Sequence, residues 1–298
     1  MNCTFQRFVA AMCATALAGG LCVAQVQPDP KKQPPARQAE PNQAAAGVPA
    51  HEYKSATIKG REISYALVLP KDFDQSKTYP VLLALPPGDQ SRGMVEMGLT
   101  QYWEAEAVAR GWVVVSPVAP NRTMFHNGSE DLIPELLDSI QRGIKVEGGR
   151  FHLAGISNGG LSAFRIAVEN PRRFMSLLAL PGYTPEKKDE NDLGRLKGVN
   201  VTMWVGEKDP QWVREMQKIQ AKMERLGIKS VLNVLPGQGH VVGVTPKDLF
   251  DALDAVRPGY KPPVQPAVTD PAPADPASKD AEGTDSKDKA KDKGKDDH

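Results

Sequence analysis

The stretch FHLAGISNGGLSAF, residues 151–164, contains the strongest indication of the fold in this chain. It predicts a short apolar strand, a sharp turn and the start of a helix. The turn contains the pattern G-x-S-x-G, in which Ser157 lies between Gly155 and Gly159. A serine at such a turn exposes its hydroxyl, and the following helix directs free N–H groups and its positive end toward it. We therefore take Ser157 as the candidate nucleophile; the alternative is an ordinary glycine-rich turn.

The first 24 residues have the pattern of a secretory signal. Arg7 precedes an apolar run, and Cys22-Val23-Ala24 is a small-x-small cleavage site. The run is short for a membrane span, so we predict cleavage near Ala24, a secreted or periplasmic location and no stable membrane span afterwards. All three cysteines lie in this segment. The mature chain is therefore predicted to have no disulfide and no cysteine-based metal site.

One domain is predicted, at residues 51–257. Residues 25–50 are rich in Pro, Gln and Ala and predict a disordered linker; residues 258–298 are Pro-rich and then Lys/Asp-rich and predict a disordered tail. Inside the domain, apolar runs such as Val81–Leu85 are typical of buried parallel strands, and they alternate with helical patterns. This alternation predicts an α/β fold with a mostly parallel sheet covered on both faces. The chain's net charge of +1 gives no reason to expect nucleic-acid binding.

A serine hydroxyl needs a base, and histidine is the usual one near neutral pH. His240 lies in the glycine-rich loop PGQGH just after the last predicted strand, at the sheet end where open α/β folds bind ligands. His126, in the loop NRTMFHNGS, is the rival. His152 lies within the strand before the turn and is predicted to be packed or hydrogen-bonded. His51 borders the linker and His298 ends the tail, so we expect neither to be fixed.

The imidazole in turn needs a carboxylate that fixes its tautomer and stabilises its cation. Asp209 follows the predicted strand VTMWVGEKD at the same sheet edge, and Glu207 is its rival. Asp209 also precedes Pro210, so it is a candidate N-cap for the next helix. The order Ser157, Asp209, His240 along the chain is one in which such triads occur.

Acyl transfer also needs N–H donors for the developing oxyanion. The backbone N–H of Asn158 is the first candidate. The second is expected in the loop PPGDQS after Val81–Leu85, where Pro86 and Pro87 have no N–H. Gly88 is the preferred donor, with Asp89 or a close neighbour as the alternative; the loop could also be no more than a stiff turn.

These motifs together resemble those of the α/β-hydrolase superfamily, and in particular its small secreted esterases of the polyhydroxybutyrate depolymerase, feruloyl esterase and phospholipase/carboxylesterase type. The resemblance extends over about residues 53–255 and depends on ISYALVLP, YPVLLALPPG, GRFHLAGISNGG, VGEKD and GQGH. It implies a single doubly wound α/β-hydrolase domain, with Ser157 as nucleophile, His240 as base and Asp209 as its orienting acid. It also implies an acyl-enzyme intermediate, no metal and no organic cofactor.

The chain departs from the family pattern at Pro86-Pro87, where many relatives carry His-Gly. The segment between Leu180 and Val199 is short, which predicts an open site without a large lid domain. Four aromatic residues are candidates for lining an acyl or aromatic pocket, with packing in the core or at the rim as the alternative for each; they are Trp103, Phe125, Tyr183 and Trp212.

The function expected from the sequence is that of a secreted serine carboxylic ester hydrolase acting on a small-molecule or polymeric ester. Two alternatives remain open. One is a serine peptidase of the same fold. The other is a hydrolase-like surface binding protein with weak catalysis, an idea that the unusual PPG loop motivates.

Overall fold

The computed structural model describes residues 50–261. The predicted signal segment, nearly all of the predicted linker and most of the predicted tail lie outside the described residues, so the predictions made for them stay predictions. Within the described range, no helix has both the length and the apolar character needed to cross a membrane.

The described residues form a twisted eight-stranded sheet and a separate two-stranded ladder. The ten strands are β1 (His51–Ile58), β2 (Arg61–Val68), β3 (Thr78–Tyr79), β4 (Val81–Leu85), β5 (Val113–Pro117), β6 (Lys145–Val146), β7 (Phe151–Gly155), β8 (Phe174–Ala179), β9 (Asn200–Gly206) and β10 (Ser230–Leu235). The large sheet has the order β1-β2-β5-β4-β7-β8-β9-β10, and β3 pairs with β6. Strand β2 is antiparallel to both of its neighbours, β1 and β5. The strands β5, β4, β7, β8, β9 and β10 are parallel to one another.

Among residues 50–261, seven α-helices cover the two faces of the sheet. They are α1 (Arg92–Gly98), α2 (Glu104–Arg110), α3 (Ile133–Gly143), α4 (Asn158–Glu169), α5 (Lys187–Asn191), α6 (Pro210–Arg225) and α7 (Pro246–Asp254). Residues on alternate positions of the same strand enter different cores: Leu83 and Leu85 pack on one face, and Leu82 and Ala84 on the other. All residues of β4, β5, β7 and β8 are buried. Burial on both faces explains why β4 is a continuous apolar run and why the other three strands are mostly apolar. The predicted α/β fold with a mostly parallel sheet is confirmed.

The topology places the candidate loops together. Strand β5 lies on one side of β4 and β7 lies on the other, so the strand order reverses at β4. Ligands in open α/β sheets bind beyond the carboxyl ends of the strands near such a reversal. The PPG loop follows β4, and the serine, aspartate and histidine loops follow β7, β9 and β10 in turn. All four loops therefore emerge at the same sheet edge.

The region around α1 differs most from the sequence-based expectation. The sequence of residues 100–110 predicts one continuous helix, but the structure has α1, then a π-helical segment, Leu99–Trp103, and then α2. Gly111 ends α2 in the left-handed conformation (φ +74°), which glycine adopts readily at the end of a helix.

The expectation that His51 is not fixed is wrong. Its ring nitrogens lie 2.9 Å from Glu104 and 3.0 Å from Glu96, and its side chain is buried. Strand β1, which no pattern in the sequence predicted, supplies His51 and pairs along its whole length with β2. His51 is therefore fixed by Glu96 and Glu104, which are distant in sequence, although its position next to the predicted linker gave no sign of this.

Candidate active site

Ser157 occupies a strained turn between β7 and α4. Its backbone angles are φ +54° and ψ −116°, in a region that few residues other than glycine adopt. Gly159 lies so close to the end of β4 that a Cβ atom there would be 2.2 Å from the carbonyl oxygen of Leu85. Glycine is therefore required at that position, which accounts for the second glycine of G-x-S-x-G.

Backbone hydrogen bonds hold the turn from both neighbouring strands. The N–H of Ser157 donates to the carbonyl of Leu180, just after β8, at 3.2 Å, and the N–H of Ile156 donates to that of Leu85 at 3.3 Å. The strain at Ser157 is thus sustained by the ends of β4 and β8. A side chain held this way changes position little during a reaction, which favours preorganised chemistry.

The three predicted side chains form a connected relay. The Oγ atom of Ser157 lies 2.7 Å from Nε2 of His240, and Nδ1 of His240 lies 2.6 Å from Oδ2 of Asp209. With Nδ1–H donating to the carboxylate, Nε2 is free to accept the serine proton. The His240 side chain is 40% exposed, so the relay opens to solvent on one side. Such an arrangement can activate a hydroxyl for attack on an electrophilic carbon.

The histidine and aspartate loops are joined to each other by the backbone. The N–H of Lys208 donates to the carbonyl of Gln238 at 2.8 Å, and the N–H of Gly237 donates to the carboxylate of Glu207 at 2.8 Å. Glu207, the rival of Asp209, therefore supports the histidine loop and does not contact the imidazole. Asp209 lies at the N-cap position of α6 but makes no side-chain capping bond there; its carboxylate binds His240 instead.

The other two candidate histidines contact different serines. Nδ1 of His126 lies 3.0 Å from Oγ of Ser162, more than one helical turn beyond Ser157. Burial, together with the nearby Arg165 guanidinium, lowers the pKa of His126. His152 is buried with its Nδ1 2.8 Å from Oγ of Ser176, and burial lowers its pKa to about 3. His152 is the packed strand histidine that the sequence analysis had favoured.

The structure brings the PPG loop against the start of α4. The side-chain amide of Asn158 donates to the carbonyl of Gly88 at 2.8 Å, and Gly88 adopts a positive φ of +59°. Helix α4 begins at Asn158, where the first N–H groups have no intrahelical acceptor. The donor roles assigned to the N–H groups of Asn158 and Gly88 stay predictions.

Two of the four aromatic candidates lie beside the relay. The rings of Trp212 and His240 meet edge-to-face with centroids 4.9 Å apart, and those of Tyr183 and Trp212 do the same at 4.9 Å. Both aromatic side chains are half-buried. Burial, with smaller contributions from Glu215 and Asp209, raises the pKa of the Tyr183 phenol, which keeps it neutral and able to donate a hydrogen bond. This pair forms an apolar wall next to His240.

The expectation that Trp103 and Phe125 could line a pocket is corrected. Trp103 is 2% exposed and its ring packs on Phe250, while Phe125 is fully buried in the core on the other face of the sheet. Neither ring offers surface to a ligand. Large aromatic residues near a candidate loop are indistinguishable in sequence whether they face a site or fill a core.

Gln90 and Ser162 are polar residues near the site that were not predicted from the sequence. Both are fully buried, and Nε2 of Gln90 donates to Oγ of Ser162 at 2.9 Å. No pattern in the sequence distinguishes them from surface residues. As for metals, within residues 50–261 no three His, Cys, Asp or Glu side chains are grouped so that they could hold an ion.

The chain matches a known protein family. The model of the Esterase family matches residues 55–240, which is more than half of the chain. The chain belongs to the Esterase family. The match begins in β1 and ends at His240, so it takes in the serine turn and both partner loops.

Solved structures of the same fold include esterases and peptidases. A thermostable esterase superposes with a TM-score of 0.54 at 17% identity, over 63% of this chain and 55% of its own. A feruloyl esterase module from Clostridium thermocellum, complexed with sinapinate, gives 0.55 at 13% identity, over 68% and 87%. At these identities the likeness shows the α/β-hydrolase fold alone.

A curated relative is dipeptidyl-peptidase 5 of Porphyromonas gingivalis. It is 27% identical over 139 residues, which are 42% of this chain and 20% of the relative. The match thus spans about a fifth of the relative's length.

Proposed function

We propose that this protein is a serine carboxylic ester hydrolase that works through an acyl-enzyme. The observation that carries the proposal is the relay Ser157–His240–Asp209, with successive distances of 2.7 and 2.6 Å, on a strained turn. Membership of the Esterase family supports an ester as the substrate class.

In the proposed reaction, Ser157 Oγ attacks the ester carbonyl while Nε2 of His240 takes its proton. Asp209 holds the imidazole in the productive tautomer and stabilises the imidazolium. The N–H groups of Asn158 and Gly88 donate to the oxyanion of the tetrahedral intermediate. His240 then gives the proton to the leaving alcohol. Water, activated by the same imidazole, releases the acid from Ser157 and restores the free enzyme.

The wall beside the imidazole suggests which esters fit. Trp212 and Tyr183 present apolar ring surface within reach of the position where an acyl or alcohol group would lie. Aromatic and apolar groups pack favourably on such rings. We therefore propose esters with an apolar or aromatic portion, either small molecules or chain ends of a polymer. The segment at residues 1–24 supports export, so we propose that the enzyme acts outside the cytoplasm.

Hydrolysis of matched ester and amide substrates tests the proposal. The purified chain is assayed with p-nitrophenyl acetate and butyrate and with a dipeptidyl p-nitroanilide, each with wild type and Ser157→Ala. We expect ester hydrolysis that Ser157→Ala lowers by several orders of magnitude, with the circular dichroism spectrum unchanged. Equal ester rates for the two proteins would contradict the proposal.

A serine peptidase of the same fold is the second candidate. The observation in its favour is the local similarity to dipeptidyl-peptidase 5. This candidate predicts that the dipeptidyl substrate is cleaved faster than either ester and that Ser157→Ala abolishes the cleavage. The third candidate, a binding protein with weak catalysis, predicts serine-dependent turnover close to background for all three substrates.

A further inference from the structure

We propose that the side chains of Asn158 and Gln90 are positioning residues, which hold the turn Pro87–Gln90 where Gly88 donates to the oxyanion. The inference rests on the proposed function and assigns a device that the family motif does not supply. Pro86 and Pro87 cannot donate, so the second donor of this chain must come from the far side of a turn that begins with two prolines.

We call the contacts that Asn158 and Gln90 make at the turn Pro87–Gln90 the clamp. Its first contact comes from α4, the helix that follows the nucleophile. Nδ2 of Asn158 donates to the carbonyl of Gly88 at 2.8 Å. Since Asn158 directly follows Ser157, this bond ties the turn to the serine with no intervening segment. The side chain of Asn158 thereby restrains the carbonyl of Gly88, the residue whose own N–H is the second proposed donor. The backbone N–H of Asn158 remains the first proposed donor.

The second contact comes from the end of the turn. Gln90 is fully buried, and the structure holds this non-glycine residue at φ +55°. Its Nε2 donates to Oγ of Ser162 on α4 at 2.9 Å, and its Oε1 accepts from the N–H of Phe125 at 2.8 Å. A strained residue of this kind persists only where its surroundings over-determine it.

The backbone completes the fixation of Gln90. Its N–H donates to the carbonyl of Pro87 at 3.0 Å, and its carbonyl accepts from the N–H of Ala119 at 2.9 Å. The turn is therefore anchored to α4 at two points: Gly88 is bound by Asn158, and Gln90 is bound to Ser162. Ser162 Oγ also donates to the carbonyl of Asn158 at 2.9 Å, so the two anchors share one network. Between them lies the Gly88–Asp89 segment, where the second donor is expected.

A clamp of this kind acts on the transition state. An oxyanion donor is useful only when it lies about 3 Å from the developing charge, and loss of one donor costs on the order of a hundred- to a thousandfold in kcat. Release of one of two anchors displaces the donor only partly. The expected loss is therefore about tenfold or more in kcat, with KM changed by less than about twofold.

Asn158→Ala tests the clamp, because it removes the side-chain amide and keeps the backbone N–H. Asn170→Ala is the matched control: Asn170 follows the other end of α4, and its Nδ2 likewise donates to a backbone carbonyl, that of Ile166, at 3.2 Å. In the full chain, kcat and KM for p-nitrophenyl acetate are measured. The inhibition constant of a short-chain trifluoromethyl ketone, which forms an oxyanion on the serine, is measured beside them.

We expect Asn158→Ala to lower kcat and weaken the ketone by the same factor, while Asn170→Ala matches wild type in both. Asn158→Asp, which keeps the size but loses the donor, is expected to lose at least as much and covers the case in which the alanine variant does not fold. Unchanged kcat in both Asn158 variants, or a lower kcat with unchanged ketone inhibition, would overturn the clamp. Absence of any Ser157-dependent hydrolysis in wild type would instead overturn the proposed function.

Discussion

Two serine–histidine contacts of nearly equal length lie in different regions of this molecule. At the sheet edge, Ser157 Oγ and His240 Nε2 are 2.7 Å apart. Inside the sheet, Ser176 Oγ and His152 Nδ1 are 2.8 Å apart on neighbouring strands. Distance alone therefore does not separate a reactive pair from a structural one.

The surroundings of the two pairs differ in every other respect. His240 is partly exposed and has the carboxylate of Asp209 on its second nitrogen, whereas His152 is buried beside Trp112 and the positive charge of Arg257 lowers its pKa further. A base must carry a proton and pass it on, which requires a stabilised cation and access to the reacting group. Only the pair at the sheet edge has both.

The largest difference in kcat is expected between variants that lack one or the other candidate base, His240 or His126. His240→Ala deletes the proposed base and should lower kcat for p-nitrophenyl acetate by up to about a million-fold. His126→Ala removes a ring that contacts Ser162 and not Ser157, and should change kcat by less than about tenfold. Steady-state rates of the two purified variants show which histidine is the base. Greater loss from His126→Ala than from His240→Ala would reverse the assignment of the base.

A smaller contrast is expected between the two acids of the VGEKD loop. Asp209→Asn leaves the size of the side chain but favours the wrong imidazole tautomer, so kcat should fall on the order of ten thousandfold. Glu207→Gln keeps an oxygen that can accept from Gly237 and should retain kcat within a few-fold. Similar losses in both variants would place the effect in loop packing and not in the relay.

The smallest effect concerns the core pair and is seen in stability. The pKa of His152 is about 3 in the folded chain against an ordinary value of 6.5, so between those pH values the unfolded chain binds the additional proton. Stability attributable to this histidine is complete above pH 6.5 and declines as pH falls toward 3, by at most about 1.4 kcal/mol per pH unit.

His152→Asn, which keeps a polar group near Ser176, should flatten this dependence. Urea unfolding of wild type and variant between pH 4 and pH 7 measures it. An identical pH dependence in both proteins would show that His152 does not titrate on unfolding in that range.

The sequence predicted those parts of the structure that depend on local pattern. The buried run of β4 was predicted with its observed bounds, and the loops of Ser157, Asp209 and His240 were assigned to one sheet edge because parallel strands end together. The parts it missed depend on distant contacts. The fixation of His51 by two glutamates and the burial of Gln90 against Ser162 need residues that only the folded chain brings together.

The aromatic residues also show that the sequence does not reveal contacts between distant elements. All four candidates are close in sequence to a loop at the sheet edge, yet Trp103 and Phe125 fill the core while Tyr183 and Trp212 line the rim. Which face an aromatic ring takes is decided by packing against neighbouring elements, and no single-residue pattern encodes it.

Reaction with a fluorophosphonate probe, followed by mass spectrometry of the labelled peptide, tests the central claim most directly. Such a probe reacts with an activated serine hydroxyl and not with one held in a core. We predict a single adduct on Ser157, absent in Ser157→Ala and strongly reduced in His240→Ala. Folded wild-type protein that stays unlabelled, or carries its adduct on Ser162 or Ser176, would contradict the account.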